Sequence, residues 1–373
     1  MKNFPEIKKN FGFGLMRLPM KGDDVDIEQT KEMVDTFLVH GFNYFDTAHG
    51  YIDGKSEVAF KTCVADRFDR ECYLITNKLT DPYFKKESDI RPFFEKQLKL
   101  CGVDYFDFYL MHSQNASNYE KFKKCRAYET AFDLKAEGKI RHVGLSFHDK
   151  AEVLDRILTD YPELEIVQIQ LNYVDYRDAS VDSKNVYEVC EKHGKPVIVM
   201  EPVKGGTLVN LPAEADKILR ELGGGSNASY AVRYAADFPN VKMVLSGMSN
   251  TEQMKDNAAT MESFRPLSDA ERDAIDRVCD IIRSQDLIPC TACRYCVEQN
   301  KCPRDIRIPD MFALMNTRKN FASWNQTFYY NSAITKDGHG KASDCIECGM
   351  CEDACPQKLE IRELLKTVAK EFE

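Results

Sequence analysis

The sequence predicts a closed (β/α)8 barrel followed by a small, mainly helical, cysteine-rich domain. Three observations support this prediction. Eight short apolar segments alternate with longer amphipathic ones over about the first 250 of the 373 residues, as parallel strands joined by helical crossovers do. Eight such units in this length fit a closed barrel. Eight of the 14 cysteines lie between positions 290 and 355, so we place a second domain at 286–373, after a barrel at 1–285.

The eight expected strands are short runs of apolar and aromatic residues, several of which end in a polar side chain. Their length and composition are typical of strands buried in a parallel sheet. In chain order they are FGFGLM (11–16), FNYFDT (42–47), CYLIT (72–76), DFYLM (107–111), RHVGLS (141–146), EIVQIQ (165–170), VIVM (197–200) and KMVLS (242–246).

The segments between the strands carry apolar residues at i, i+3 and i+4, which predicts amphipathic helices. A doubly wound open sheet would show a similar alternation and is the alternative fold. However, Gly12 and Gly14 do not begin a G-x-G-x-x-G motif, because Arg17 stands where the third glycine would be, and the sequence has no Walker motif. This favours the barrel. The expected helices cover 27–40, 90–101, 119–135, 150–159, 182–193, 228–236 and 269–284.

Composition and charge exclude several classes of protein. A hydrophobic fraction of 43% and a charged fraction of 30% are ordinary for a globular chain. The net charge of −9 argues against a nucleic-acid partner, which requires clustered Lys and Arg. No apolar run reaches the roughly 18 residues that cross a bilayer, and the charged first ten residues do not resemble a signal peptide. We therefore expect a cytoplasmic protein without a membrane partner, whose clustered cysteines serve metal or redox chemistry.

The cysteine-rich segment contains two similar motifs, C-x2-C-x2-C-x5-C-P from position 290 and C-x2-C-x2-C-x3-C-P from position 345. Three thiolates at this spacing bind three irons of one cubane, and the fourth, followed by proline, binds the other cubane. Two structural zinc sites, which would also use eight cysteines, are the alternative. We therefore expect two [4Fe-4S] clusters, one bound by Cys290, Cys293, Cys296 and Cys355 and the other by Cys345, Cys348, Cys351 and Cys302.

The spacing within and between these motifs departs from that of a plain bacterial ferredoxin. The first motif has five residues before its last cysteine instead of three, and about 42 residues separate the two motifs. This long connection makes the domain resemble the helical two-cluster ferredoxin modules of larger redox enzymes.

Four polar residues end or follow the second, third and fourth expected strands. Asp46, Lys78 and His112 mark these strand ends, and Tyr51 lies five residues beyond Asp46. Each of them alone could serve packing or solvation. Because barrel enzymes place their chemistry at the carboxyl ends of strands, we interpret them together. They supply a phenol that donates a proton, a cation that lowers its pKa, a carboxylate that holds the cation and an imidazole that orients an oxygen.

Over about its first 265 residues the chain resembles the aldo-keto reductase family. The resemblance implies a TIM barrel in which Tyr51 is the general acid/base, Lys78 lowers its pKa, Asp46 pairs with Lys78 and His112 orients the substrate carbonyl. The second domain resembles the ferredoxin-like extension of one bacterial branch of this family. The matching motifs are GFGLMRLP (12–19), FDTAHGYIDGKSE (45–57), TNKL (76–79), DFYLMH (107–112), GKIRHVGLS (138–146), VQIQLNY (167–173), MEPVKGG (200–206) and SGMSNTEQMKDN (246–257).

The resemblance also implies a nicotinamide cofactor. Where NADPH-selective relatives carry a basic pair, this chain has Gly247 and Gln253, so both NADPH and NADH stay open. Where relatives stack a tyrosine on the nicotinamide, this chain has Met200, which packs but does not stack. The residues expected to contact the cofactor are Ser146 and Gln168 at the carboxamide, Met200 at the ring, Gly247, Met248 and Ser249 at a phosphate, and Gln253 and Asn257 at the adenine.

The expected function is hydride transfer between the nicotinamide cofactor and a small carbonyl or alcohol substrate. A hydride carries two electrons, whereas a cubane passes one at a time, so coupling the two requires a site such as a flavin that splits the pair. The alternative is an electron-transfer enzyme whose clusters pass electrons between a redox protein partner and a flavin or quinone-like acceptor in the barrel. A barrel without hydride chemistry, acting as an iron-sulfur scaffold, is a third interpretation.

Overall fold

The computed structural model describes residues 4–178, 181–284, 287–299, 301–320, 325–336 and 338–373. Within these residues eight parallel strands form a closed barrel. Each strand pairs with the next along the chain, and the first closes on the last through Phe11↔Val244 and Gly14↔Gly247. The expected barrel is confirmed, and the open sheet is excluded. The strands are β1 Phe11–Gly14, β2 Tyr44–Asp46, β3 Leu74–Leu79, β4 Phe106–Gln114, β5 Ile140–Phe147, β6 Ile166–Gln170, β7 Val197–Met200 and β8 Val241–Gly247.

Helices connect the strands and bury apolar faces against them. The first begins after Asp26, whose side chain accepts a hydrogen bond from the Gln29 N–H at 3.0 Å and satisfies one free donor of the first turn. The expected helix at 119–135 is two helices, because Arg126 takes a left-handed φ of 53° between them. The helices of this part are α1 Ile27–Val39, α2 Lys55–Phe60, α3 Glu87–Cys101, α4 Ala116–Lys124, α5 Ala127–Ala136, α6 Ala151–Asp160, α7 Ser183–Lys192, α8 Ala213–Leu222, α9 Asn227–Ala236, α10 Thr251–Glu262 and α11 Asp269–Ser284.

The interior of the barrel is filled by side chains. Tyr44, Phe108, Leu110, Ile198 and Met243 form a cluster that is buried inside it, so the barrel is a packed core and not a pore. A short antiparallel hairpin, Met20–Lys21 with Asp24–Val25, lies between β1 and α1. No helix among the described residues is long and apolar enough to cross a membrane.

The cysteine-rich domain is mainly helical, as expected. Its core is formed by apolar side chains such as Ile306, Met311, Phe312 and Leu365, together with several of the cysteines. The boundary expected at 285/286 falls on two residues outside the described ones. The helices of this domain are α12 Tyr295–Glu298, α13 Ile308–Asn320, α14 Asn325–Tyr329, α15 Met350–Asp353 and α16 Ile361–Phe372.

Candidate active site

The structure brings Asp46, Tyr51, Lys78 and His112 together at the carboxyl end of the barrel. The Lys78 Nζ donates to Asp46 Oδ1 at 2.6 Å and to the Thr47 carbonyl at 2.8 Å. The same Nζ lies 4.9 Å from the centroid of the Tyr51 ring. The ring centroids of Tyr51 and His112 are 6.0 Å apart. The expected constellation is therefore assembled in one place.

Local structure fixes the positions of the Tyr51 and His112 rings. Tyr51 begins the short 3-10 segment Tyr51–Gly54, which follows β2 and contains left-handed φ angles at Ile52 and Asp53. The His112 Nδ1 lies 2.7 Å from the Thr80 hydroxyl, which leaves Nε2 as the ring nitrogen available to a ligand.

Burial controls the protonation of these groups. It raises the pKa of Tyr51 well above its ordinary value of 10, so the phenol keeps its proton at neutral pH. Burial lowers the pKa of His112 well below 6.5, which leaves a neutral imidazole. It also lowers the pKa of Lys78 and raises that of Asp46, so burial opposes both charges while their mutual contact favours them. The site thus offers a phenol proton donor beside a neutral imidazole.

A cavity of about 330 Å³ opens beside Tyr51. Gly14, Arg17, Glu201 and Asp256 also line it. Seven of the eight residues expected at the cofactor lie in its wall, namely Gln168, Met200, Gly247, Met248, Ser249, Gln253 and Asn257.

Ser146, the eighth expected cofactor residue, is not among the described residues that line this cavity. Its hydroxyl instead accepts a hydrogen bond from the Ser113 N–H at 2.8 Å. Ser113 lies in the stretch between Met111 and Gln114, where the pairing of β4 with β5 is irregular.

Next to the end of β8, the wall of the larger cavity carries polar side chains of a kind that binds nucleotides. The Asn250 side chain accepts from the Gln253 N–H at 2.9 Å and so caps α10. Asn257 donates to the Ser246 hydroxyl at 3.1 Å, while its own Oδ1 is buried and has no partner among the described residues. An orphaned amide oxygen of this kind fits an exocyclic amino group of a base.

Arg17 and Glu201 are residues of this cavity that sequence reasoning missed. The Arg17 Nη2 lies 4.0 Å from Glu201 Oε1. Burial raises the pKa of Glu201, and the nearby Arg17 opposes that shift. No pattern in the sequence indicates this pair, because the loop after β1 and the loop after β7 meet only when the barrel closes.

The eight cysteines of the two motifs line two separate cavities in the second domain. Each cavity combines three cysteines of one motif with the last cysteine of the other, which is the grouping expected from the sequence. Among the described residues, no three His, Cys, Asp or Glu side chains are placed to hold a single metal ion. The thiols surround a space, as ligands of a multi-iron cluster do. One cavity is lined by Cys290, Cys293, Cys296 and Cys355, and the other by Cys302, Cys345, Cys348 and Cys351.

The first of these cavities lies against the mouth of the barrel. The Arg17 Nη2 donates to the Thr291 carbonyl at 2.8 Å. Gly205, with a left-handed φ of 63°, passes so close to Thr291 that a Cβ there would collide with the Thr291 backbone. Lys204 is buried and donates to Gln357 Oε1 at 3.2 Å. The barrel loops are therefore shaped to receive the second domain.

Tyr295, between Cys293 and Cys296 in the chain, enters the active site from the second domain. It is only 9% exposed, and its phenol lies close enough to that of Tyr51 to help raise the pKa of Tyr51. Its ring centroid lies 6.3 Å from that of His112. Sequence reasoning missed this residue, because its neighbours in the chain are cysteines and nothing there indicates a contact with the barrel.

Comparisons with known proteins agree with this architecture. Residues 10–280 match the aldo/keto reductase family, and residues 289–359 match the 4Fe-4S dicluster domain. The oxidoreductase YtbE of Bacillus subtilis is 25% identical over 241 residues, which are 63% of this chain and 80% of YtbE. The NADH-specific methylglyoxal reductase of Escherichia coli is 25% identical over 290 residues, which cover 64% of this chain and 84% of that protein.

Solved structures show the same barrel fold. The aldo-keto reductase AKR11C1 from Bacillus halodurans in its holo form superimposes with a TM-score of 0.60 at 23% identity, covering 73% of this chain and 92% of its own. An aldo-keto reductase from Klebsiella pneumoniae in complex with NADPH superimposes with a TM-score of 0.58 at 20% identity, covering 73% of this chain and 95% of its own. These matches concern the fold of the barrel.

Proposed function

Because the chain belongs to the aldo/keto reductase family and carries a 4Fe-4S dicluster domain, we propose that it transfers a hydride between a nicotinamide cofactor and a small carbonyl or alcohol substrate. The observation that carries this proposal is the position of Tyr51, which lines the same cavity as the residues expected at the cofactor and lies beside His112 and Lys78. In the direction of reduction, the cofactor supplies the hydride when it is bound.

The chain's own residues handle the substrate oxygen and its proton. His112, neutral because burial lowers its pKa, orients the carbonyl through its free ring nitrogen. Tyr51 holds its proton because burial raises its pKa, and it passes this proton to the oxygen as the carbonyl is reduced. The ammonium group of Lys78, paired with Asp46, stabilises the phenolate that is left.

The lining of the large cavity favours NADH as the cofactor. Arg17 is the only Lys or Arg among the described lining residues, and it lies against Glu201. Asp256 also lines the cavity. A 2′-phosphate would add negative charge beside these carboxylates without a free cation to bind it. Gln168, Met200, Gly247, Ser249 and Asn257 would hold the nicotinamide and adenosine parts.

We also propose that the second domain binds two [4Fe-4S] clusters through the two groups of four cysteines that line its cavities. The cavities support this proposal, since a cubane needs four thiolates around a space and not around one point. The cluster nearer the barrel would be bound by Cys290, Cys293, Cys296 and Cys355.

The test of the hydride-transfer proposal is Tyr51→Phe. The wild-type protein should reduce methylglyoxal or another small carbonyl compound with NADH, whereas the variant should lose at least about a hundredfold in kcat and still bind NADH. Tyr83→Phe is the matched control, because Tyr83 also lies at the barrel mouth but stacks on Phe93 and is 42% exposed. Full turnover by the Tyr51 variant would refute the role of its phenol.

One observation favours electron transfer as a second candidate function. Cys293, one of the expected cluster ligands, lines the same cavity as Tyr51, so a cluster there would border the space that the cofactor or a flavin fills. The test is an anaerobic absorbance spectrum during titration with NADH, with flavin assayed on the same sample. Bleaching of the cluster absorbance together with bound flavin would support it, and an unchanged spectrum would exclude it.

A further inference from the structure

A second cavity, of about 190 Å³, lies between the barrel and the second domain. His112 lines this smaller cavity, while Tyr51 lines the larger one. Tyr295, His148 and Pro356 line both. A carbonyl oxygen bound by Tyr51 and His112 must therefore lie where the two cavities meet, beside the phenol of Tyr295.

Two residues that line the smaller cavity each carry a buried polar atom that has no partner among the described residues. These atoms are the hydroxyl oxygen of Ser113 and the Nδ1 of His148, and both are shielded from solvent. Ser113 follows His112 directly and holds a left-handed φ of 52°, a costly conformation for a residue other than glycine. Buried polar atoms without a partner are rare and call for a ligand or water that satisfies them.

Most of the other residues that line this cavity are polar. They include Thr80 and Asn115 from the barrel and Gln299 and Lys358 from the second domain. Large apolar side chains, which line most sites for apolar ligands, are missing from the described part of this wall apart from the Tyr295 ring. The volume of about 190 Å³ limits the ligand to a few carbon atoms.

We propose that this interdomain cavity is the substrate site, that it takes a small ketone or aldehyde with hydroxyl groups on the carbons next to the carbonyl, and that Tyr295 binds the carbonyl oxygen. This inference rests on the proposed hydride transfer and deepens it by naming the substrate class. Ser113 and His148 bind the hydroxyl groups of the substrate. The active site is complete only when the second domain is docked.

Two three-carbon ketones test the inference with the holoenzyme and NADH. Dihydroxyacetone and acetone share a carbon skeleton and differ only in two hydroxyl groups. Because a site built to hydrogen-bond a hydroxyl leaves its own polar groups unpaired with the deoxy analogue, kcat/KM for dihydroxyacetone should exceed that for acetone by about a hundredfold or more. Equal values, or a preference for acetone, would overturn the proposed substrate class.

Variants separate the roles of the residues. Ser113→Ala and His148→Phe should each lower kcat/KM for dihydroxyacetone about tenfold and lower the value for acetone much less. Tyr295→Phe should lower kcat/KM about tenfold for both ketones, because it removes a hydrogen bond to their common carbonyl oxygen. An equal loss for both ketones in the Ser113 variant would contradict its assignment, and faster turnover by the Tyr295 variant would show that Tyr295 obstructs the site.

A control variant and two binding measurements exclude a structural explanation. Tyr330→Phe alters a buried tyrosine of the second domain whose phenol contacts Glu373 and Ala342, and it should change neither ketone's kcat/KM. Iron content should equal that of the wild type in every variant, and NADH affinity should do so in Ser113→Ala and Tyr330→Phe, whose residues are not among the described ones that line the larger cavity. If the wild-type enzyme reduces no carbonyl compound at all, the proposed function fails; if it reduces acetone as well as dihydroxyacetone, only this inference fails.

Discussion

The side-chain amides of Gln170 and Gln357 are hydrogen-bonded to each other in both directions, at 3.0 and 3.1 Å, although 187 residues separate them in the chain. Both residues are buried. Gln170 ends β6, and Gln357 follows the Cys355-Pro356 step that closes the second cysteine motif. A strand end of the barrel is thereby tied directly to the loop of a cluster ligand.

We expect Gln357→Ala to loosen this junction. The change leaves the buried Gln170 amide without its reciprocal partner and removes an acceptor of Lys204, which should cost about 2 kcal/mol of stability. The apparent Tm of the anaerobic holoenzyme should fall by a few degrees. Lys358→Ala, at the adjacent exposed residue, is the matched control and should leave Tm nearly unchanged. If both changes lowered Tm equally, the hydrogen bonds of Gln357 would not be what stabilises the contact between the domains.

Two serine variants test the grouping of the cysteines. Cys355→Ser should remove the cluster nearer the barrel, and Cys302→Ser should remove the other, so each should lower the iron content from about eight to about four atoms per chain. Because Tyr295 lies between two ligands of the nearer cluster, only Cys355→Ser should also slow carbonyl reduction. The opposite pattern, with Cys302→Ser alone slowing reduction, would mean that each motif binds its own cluster.

The charge of the large cavity predicts its cofactor preference. We expect kcat/KM to be higher with NADH than with NADPH, since Glu201 and Asp256 repel a 2′-phosphate. Gln253→Arg should raise kcat/KM for NADPH about tenfold relative to NADH by adding a cation beside the expected adenosine site. The control is Gln299→Arg, which adds the same charge in the other cavity and should not change the ratio of kcat/KM for NADPH to kcat/KM for NADH. A wild-type preference for NADPH would refute the inference drawn from the charges in the large cavity.

Stability should fall as the pH falls below about 6.5. Burial lowers the pKa of His148 to about 3 in the folded protein, with Lys358 and Lys78 adding to the shift. Between these pH values the unfolded chain binds a proton at this histidine and the folded chain does not, so stability decreases as the solution is acidified. His148→Asn should reduce the slope by up to about 1.4 kcal/mol per pH unit, measured by denaturant unfolding at several pH values; an unchanged slope would exclude this histidine as the cause.

Much of the fold could be predicted because it follows from local patterns. The eight apolar segments each became a strand, and the expected helices lie within three residues of their expected ends, apart from the one that Arg126 divides. That division depends on a single left-handed residue, which periodicity does not reveal. The spacing of the cysteines predicted which of them share a cavity, because the rule depends on distances along the chain.

The part of the site that could not be predicted depends on contacts between distant segments. Tyr295 reaches Tyr51 only through the docking of the second domain, and the Arg17–Glu201 pair forms only across two loops of the closed barrel. The family resemblance implies Ser146 at the carboxamide of the cofactor, but the residue is not among the described ones that line the larger cavity, and its hydroxyl accepts a hydrogen bond from the Ser113 N–H. Such outcomes are set by tertiary geometry.

The crossed grouping of the cysteines has a consequence for biosynthesis. Cys355 shares a cavity with Cys290, Cys293 and Cys296, so the first motif lacks its fourth thiol until the second motif has been translated. The eight barrel strands, the last of which ends at Gly247, are synthesised before either cysteine motif. Under the proposed ligand sets, neither cluster has all four of its ligands until both motifs have been translated, so cluster insertion follows synthesis of the second motif.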